Sequence, residues 1–195
     1  DVNHYMDVFV HDRQSAETTL VSIASDGTQG DRMALLADIS DDGRYVAFES
    51  PATNLVTGDT NNASDIFVHD RVTGETDRVS VSSSAAQGDD DSTSPAISAD
   101  GRFVAFESSA GTLVDADTDA ERDVFVHDRV TGETNMVSVD SAGMQVYSTS
   151  FGASISADGR YVAFASAGDL VPEDTNWQTD VFVHDRLTGE ITRVS

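Results

Sequence analysis

Four seven-residue strings in this 195-residue chain set acidic and amide oxygens at one fixed spacing: DVNHYMD at 1–7, DTNNASD at 59–65, DTDAERD at 117–123 and DTNWQTD at 174–180. Every copy has Asp at the first place, Asn or Asp two residues on, and Asp six residues on. The ligand set is therefore Asp1, Asn3 and Asp7; Asp59, Asn61 and Asp65; Asp117, Asp119 and Asp123; and Asp174, Asn176 and Asp180. Side-chain oxygens at places one, three and seven of a tight loop, joined by a main-chain carbonyl from place five (Tyr5, Ala63, Glu121 or Gln178), are what a hard cation collects. Carboxylates that converge repel one another unless a cation sits among them. The expected cofactor is Ca2+, up to four ions, one per loop. The alternative is that Asp and Asn merely turn these loops by bonding to their own backbone. Magnesium is a further candidate. A transition metal fits less well, since the chain has no cysteine and no recurrent histidine lies inside the triplets.

The loops are not EF-hands. An acid does follow at the twelfth place of each (Asp12, Asp70, Asp128, Asp185), but five residues of extended strand carry it ~16 Å from place seven. The EF-hand glycine at place six is replaced by Met6, Ser64, Arg122 and Thr179.

What must position these loops is a repeat. The stretch DIFVHDRVTGETDRVS from Asp65 recurs with small changes from Asp7, Asp123 and Asp180, and ISDDGRYVAF from Ile39 recurs from Ile97 and Ile155. Within a unit the pattern has period two, rich in Val and Phe and punctuated by Asp-Gly and Thr-Gly turns, which describes short antiparallel strands joined by hairpins. In the third unit the strands are expected at 95–98, 102–108, 123–129 and 133–139. A four-stranded unit of this length, repeated, is one blade of a β-propeller. The fold expected is all-β: a single propeller array over 1–195, with a half blade at 1–24 and blades at about 25–82, 83–140 and 141–195. Three and a half blades do not close a ring of about four to eight. The array is expected either to belong to a longer chain or to be completed by association of identical chains.

The same residues carry a resemblance. ISADGRYVAF followed by DVFVHDRVTGET resembles the TolB-type, WD40-like propeller repeat, with its Asp-Gly turn, aromatic-bearing second strand and third-hairpin Thr-Gly; Asp41, Ala99 and Ala157 stand where that family has proline. The resemblance covers essentially the whole chain. It implies a scaffold or binding platform of the kind found outside the cytoplasm or appended to peptidases, and it fixes no one activity.

Composition narrows the partners. Thirty-five Asp and Glu against 11 basic residues, all arginine, give a formal charge of −24. That argues against nucleic acid and anionic membrane and in favour of cations. No apolar run approaches the ~18 residues of a membrane helix, so no membrane insertion is expected. Four histidines, His11, His69, His127 and His184, recur in Phe-Val-His-Asp-Arg strings on separate blades and read as satisfied groups between blades rather than a converging site. The Asp-Arg pairs that follow them are expected to tie each strand end to a neighbouring blade. No catalytic motif stands out from the repeat, so the chain reads as a non-enzyme. Departures from the repeat point to a protein or glycan partner: His4, Tyr5 and Trp177 in the centres of acidic loops, and Tyr147 in a connection between blades. The functional expectation is a non-enzymatic, calcium-stabilised propeller, extracellular, at the cell surface or periplasmic, serving as a binding or assembly module. The alternative is a propeller domain of a secreted peptidase or glycosidase whose catalytic residues lie elsewhere.

Overall fold

The structure is a computed structural model that describes residues 2–176 and 178–195. Among these residues there is no α-helix. A two-stranded sheet, β1 (Phe9–His11) and β2 (Thr18–Leu20), is followed by three four-stranded antiparallel sheets. These are β3 (Leu35–Ile39), β4 (Tyr45–Ser50), β5 (Asp65–Asp70) and β6 (Thr76–Arg78); β7 (Ser92–Ile97), β8 (Phe103–Ser108), β9 (Asp123–Asp128) and β10 (Thr134–Met136); and β11 (Ser150–Ile155), β12 (Tyr161–Ser166), β13 (Asp180–Asp185) and β14 (Glu190–Arg193). Strand order within each sheet is sequence order, a simple meander. The described residues thus form three and a half blades of a partial β-propeller.

Alternation of side chains gives each blade two apolar faces. On one face Phe48 stacks on Phe67, Phe106 on Phe125, and Phe164 lies tilted against Phe182, with ring centroids 5.8, 5.8 and 6.2 Å apart. The other face carries Ala and branched residues such as Ala47, Ile66 and Val68. These faces meet: Ala47, Ile66 and Val68 of one blade pack with Phe106 and Phe125 of the next, and Ala105, Val124 and Val126 pack with Phe164 and Phe182. The core therefore lies between sheets rather than within any one of them. This is why the third strands read as nearly unbroken apolar runs.

Polar straps complete each seam. Tyr45 lies between the guanidinium carbons of Arg44, in its own blade, and Arg129, in the next, at 4.7 and 4.6 Å from the ring centroid. Phe103 is held likewise between Arg102 and Arg186, at 4.7 and 4.3 Å. Each ring rests on a glycine of the next blade's Asp-Gly turn, Gly101 under Tyr45 and Gly159 under Phe103. The turns are also hydrogen-bonded to one another, Asp41 N–H to Ala99 O and Ala99 N–H to Ala157 O, each 3.0 Å. Glu49 and Glu107 accept from the backbone N–H of Ser94 (3.1 Å) and Gly152 (2.7 Å) in the following blade.

Three of the four recurrent histidines sit between blades; His11, in the half blade, is exposed, with its Nδ1 2.9 Å from Thr18 Oγ1. His69 Nδ1 lies 2.9 Å from Thr76 Oγ1, which donates to Ile23 O of the preceding unit at 2.6 Å. His127 and Thr134 repeat the arrangement toward Val81 O, and His184 Nδ1 is 2.8 Å from Val137 O. Only half of the expectation for the Asp-Arg pairs holds. The arginines do reach neighbouring blades, as Arg129 and Arg186 show. The carboxylates do not: Asp70, Asp128 and Asp185 each take a two-pronged hydrogen bond from the arginine one strand back in the same blade, Arg44, Arg102 and Arg160. Antiparallel pairing brings those ends together, with Tyr45 opposite Asp70 and Phe103 opposite Asp128.

Strand bounds also shift. First strands start earlier than the residues 95–98 expected, because a bulge between Thr93 and Ala96 takes Pro95 into β7 without breaking the ladder. Fourth strands are shorter, three or four residues, and pair on one side only.

Two predictions follow from these seams. Gly101 has φ +73°, and a Cβ there would fall 2.1 Å from Tyr45 Cδ2. Gly101→Ala is expected to cost about 3 kcal/mol, from a strained backbone plus a clash in the seam. Gly132→Ala, at φ +77° with nothing within 4 Å of its Cβ, should cost only about 1 kcal/mol; equal shifts of the two urea midpoints would contradict the latch. Acid should act in two stages. Burial holds the pKa of His69 and His127 below the ordinary histidine value of about 6.5, so their contribution is complete above about pH 6.5 and declines below it, as the unfolded chain takes up protons first. The Arg44 and Arg102 guanidiniums hold Asp70 and Asp128 well below the usual carboxylate range, so their contribution is complete above about pH 4 and falls away under it. His127→Gln should reduce the first stage of a stability–pH curve, leaving the part due to His69, and should leave the second unchanged.

Candidate metal centre

The acidic loops at 59–65, 117–123 and 174–180 each run between the second and third strands of a blade and are pinned at both ends. Leu55, Leu113 and Leu170 are buried just before the loops. At the far end, the seventh-place aspartate is the first residue of the third strand: Asp65 opens β5, Asp123 opens β9 and Asp180 opens β13. A serine from the end of the fourth strand fixes it. Ser80, Ser138 and Ser195 donate to one carboxylate oxygen of Asp65, Asp123 and Asp180 at 2.6, 2.7 and 2.6 Å. The same hydroxyls accept from the N–H of Ile66, Val124 and Val181 at 3.1, 3.0 and 2.9 Å. Ser22 does this for Asp7 and Val8 in the half blade. The loops lie beside the connections between blades: Gln87 and Gln145 lean in from the following unit and donate to Asp59 at 3.0 Å and Asp117 at 2.8 Å.

The residues predicted as ligands are treated differently from loop to loop. Asp117, Asp119 and Asp123 converge, with one carboxylate oxygen of each within 4.8 Å of the others. Asp123 is 1% exposed and Asp117 7%. Burial, aided by the Asp117 and Asp119 charges, pushes the Asp123 carboxyl up to about 6. In the 59–65 loop, Arg78 Nη1 lies between the acids, 3.5 Å from Asp59 Oδ1 and 3.2 Å from Asp65 Oδ2. Burial still raises both carboxyls above their ordinary value, against the pull of Arg78. In the 174–180 loop, Arg193 Nη1 is 3.0 Å from Asp174 and 3.6 Å from Asp180. Hydrogen bonds from Ser195 and Asn176 hold the Asp180 carboxyl low.

The third-place oxygens Asn3 Oδ1, Asn61 Oδ1, Asp119 Oδ1 and Asn176 Oδ1 all accept from the backbone N–H two residues on. The turn chemistry of the alternative reading is therefore present in every loop. It leaves other oxygens unsatisfied: Oδ2 of Asp7, Asp59, Asp117, Asp119 and Asp174 is buried without a hydrogen-bond donor. Asp1 and Trp177 lie outside the described residues. Of the predicted contact residues, His4 is exposed with φ 63°, Tyr5 is 50% exposed and Tyr147 73%. The Tyr147 hydroxyl lies 3.3 Å from Thr118 Oγ1, so this ring borders the 117–123 loop.

No protein-family model matches the chain, and no curated protein matches it in sequence. Solved structures do match it in shape. The chain is similar over 94% of its length to tricorn protease (TM-score 0.58, 13% identity), spanning 16% of that chain. It is similar over 82% of its length to a protein described as TolB from Agrobacterium tumefaciens (TM-score 0.51, 18% identity), spanning about half (49%) of it. Over 97% of its length it is similar to hydrazine synthase of Kuenenia stuttgartiensis (TM-score 0.54, 12% identity), spanning 28% of that chain. At these identities the likeness speaks for the fold alone, which is that of a β-propeller.

Sequence reasoning missed the serines, the glutamines and the two arginines of these corners. The signal was available: Ser22, Ser80 and Ser138, and likewise Gln29, Gln87 and Gln145, recur at the repeat's own interval. Removing one hydroxyl should be costly, because it strips a donor from a buried carboxylate and an acceptor from a buried N–H. Ser138→Ala is expected to lower stability by about 2 kcal/mol in urea unfolding; a change under about 0.5 kcal/mol would mean that the serine does not hold Asp123.

Proposed function

We propose that this chain is part of a non-enzymatic binding or assembly propeller that acts outside the cytoplasm and is stabilised by calcium at its acidic loops. The observation that carries the reading is the buried carboxylate oxygens without donors at 117–123, Asp117 Oδ2 and Asp119 Oδ2, where three carboxylates converge. A buried, unpaired anion is expensive, and a divalent cation removes that expense by coordinating the free oxygens. Calcium suits an all-oxygen loop with irregular geometry better than magnesium, which demands near-ideal octahedral ligands. Extracellular calcium modules work with dissociation constants of ~10⁻⁴ to 10⁻³ M, so the exterior is where loops of this kind would be filled.

The partner is a protein or a glycan. The support is the loop face of the blades, where His4, Tyr5 and Tyr147 present aromatic and imidazole groups at fixed positions beside the acidic loops. Identical chains or further blades would cover the outer faces of the array, where Phe151, Tyr161 and Val181 are each about 40% exposed. A second reading, a propeller domain serving a secreted hydrolase, takes its support from the likeness to tricorn protease. A catalytic domain beside these repeats in the parent chain would favour it.

Chelation tests the calcium reading. The melting temperature is expected to fall in EDTA and to recover on adding CaCl2, with ~2.7 kcal/mol per site at a free concentration 100 times the dissociation constant. A melting temperature indifferent to EDTA would leave the loops as turns only.

A further inference from the structure

We propose that, among the three acidic corners whose first-, third- and seventh-place residues are all described, only the one at 117–123 takes a divalent cation, and that Arg78 and Arg193 stand in for the ion at the other two. The inference rests on the reading that these corners need a cation, and it says which of them must find one in solution. Strand register makes the comparison position by position: Arg78 pairs with Phe67, Met136 with Phe125 and Arg193 with Phe182, so the three are equivalent residues of the fourth strand. Two of them thread a guanidinium between the first and seventh aspartates, within 3.0 to 3.6 Å of both. A guanidinium and a calcium ion answer the same need there, positive charge aimed at converging oxygens, and two such groups cannot share one corner.

The third corner differs in two places at once, and both changes act in the same direction. Met136 brings no charge and packs instead against the apolar core. The third-place asparagine has become Asp119. Asn61 and Asn176 donate Nδ2–H to the seventh aspartate, at 3.4 and 2.9 Å, and a carboxylate cannot. Formal charge follows: two carboxylates and one guanidinium give −2 + 1 = −1 at each arginine corner, and three carboxylates without an arginine give −3 at 117–123.

The side chains that do bond into this corner are neutral. Gln145 Nε2 donates to Asp117 Oδ1 at 2.8 Å and Asp123 Oδ2 at 3.2 Å, and Ser138 donates to Asp123 Oδ1. They leave Asp117 Oδ2, on a side chain 7% exposed, and Asp119 Oδ2 buried with no partner. Asp59 Oδ2 and Asp174 Oδ2 also lack a donor, but each belongs to a carboxylate whose Oδ1 already faces Arg78 or Arg193. Three carboxylate oxygens within 4.8 Å match the ~5 Å that separates ligands across a calcium ion. Loop carbonyls and water would complete the shell.

The test counts ions on the full chain after chelator treatment, by calorimetric titration with CaCl2. Met136→Arg and Asp119→Asn, which import the residues that the other corners carry, are each expected to lower the count by one. Asp59→Asn and Asp174→Asn should leave it unchanged. If Met136→Arg fails to fold by circular dichroism, Asp119→Asn decides alone, since it replaces one side chain by its isostere. A count that survives both changes at 117–123, or that falls on changing Asp59 or Asp174, overturns the assignment and leaves the calcium reading standing. A folded wild-type chain that binds no calcium at millimolar concentration overturns both.

Discussion

Carboxylates crowded into a buried loop corner must be neutralised, and this electrostatic requirement governs the architecture more than any single apolar contact. The corners exist because the seventh aspartate of each loop is also the first residue of a central strand, so its side chain has no freedom to swing into water. Serine hydroxyls, glutamine amides and backbone N–H groups satisfy some of the oxygens, and two corners add a guanidinium. At 117–123 the demand is largest and the supply is neutral. A repeat protein makes this comparison unusually direct. The same backbone presents the same problem several times, and its differences in side chain are differences in solution.

The blades around these corners are joined by a second set of repeated devices. The apolar seam, with phenylalanine pairs on one side and Ala, Val and Ile on the other, forms the core between successive blades. Direction comes from the latch of an aromatic ring on the next blade's turn glycine, clamped by two arginines. Tyr161 carries the same ring and its own Arg160 at 4.8 Å, and its outer side is 40% exposed. Gln87 and Gln145, in the connections between blades, tie each of those connections to the preceding acidic loop.

Much of this was legible in the chain itself. Period-two runs of Val and Phe, with Asp-Gly and Thr-Gly turns at a constant interval, determine the meander, and the meander determines the blade. The third strands emerged as expected because burial on both faces leaves an unbroken apolar run. First strands were misjudged at their starts, since Pro95 reads as a strand opening until a bulge absorbs it. The acidic triplets were visible as a spacing, but not the three-dimensional detail that separates them. Whether Arg78 or Met136 faces a corner depends on pairing across a hairpin, and a chemically plain methionine gives no hint of what it displaces. The Asp70–Arg44 pair was likewise invisible as a pair, because the partners lie 26 residues apart and meet only across two strands.

The most direct measurement is crystallographic: crystals grown in calcium and then exchanged with a lanthanide, whose anomalous scattering locates the ion without ambiguity. The account predicts a peak among Asp117, Asp119 and Asp123, and none between Asp59 and Asp65, where Arg78 lies. A 117–123 corner holding only water, or a peak beside Arg78, would contradict it.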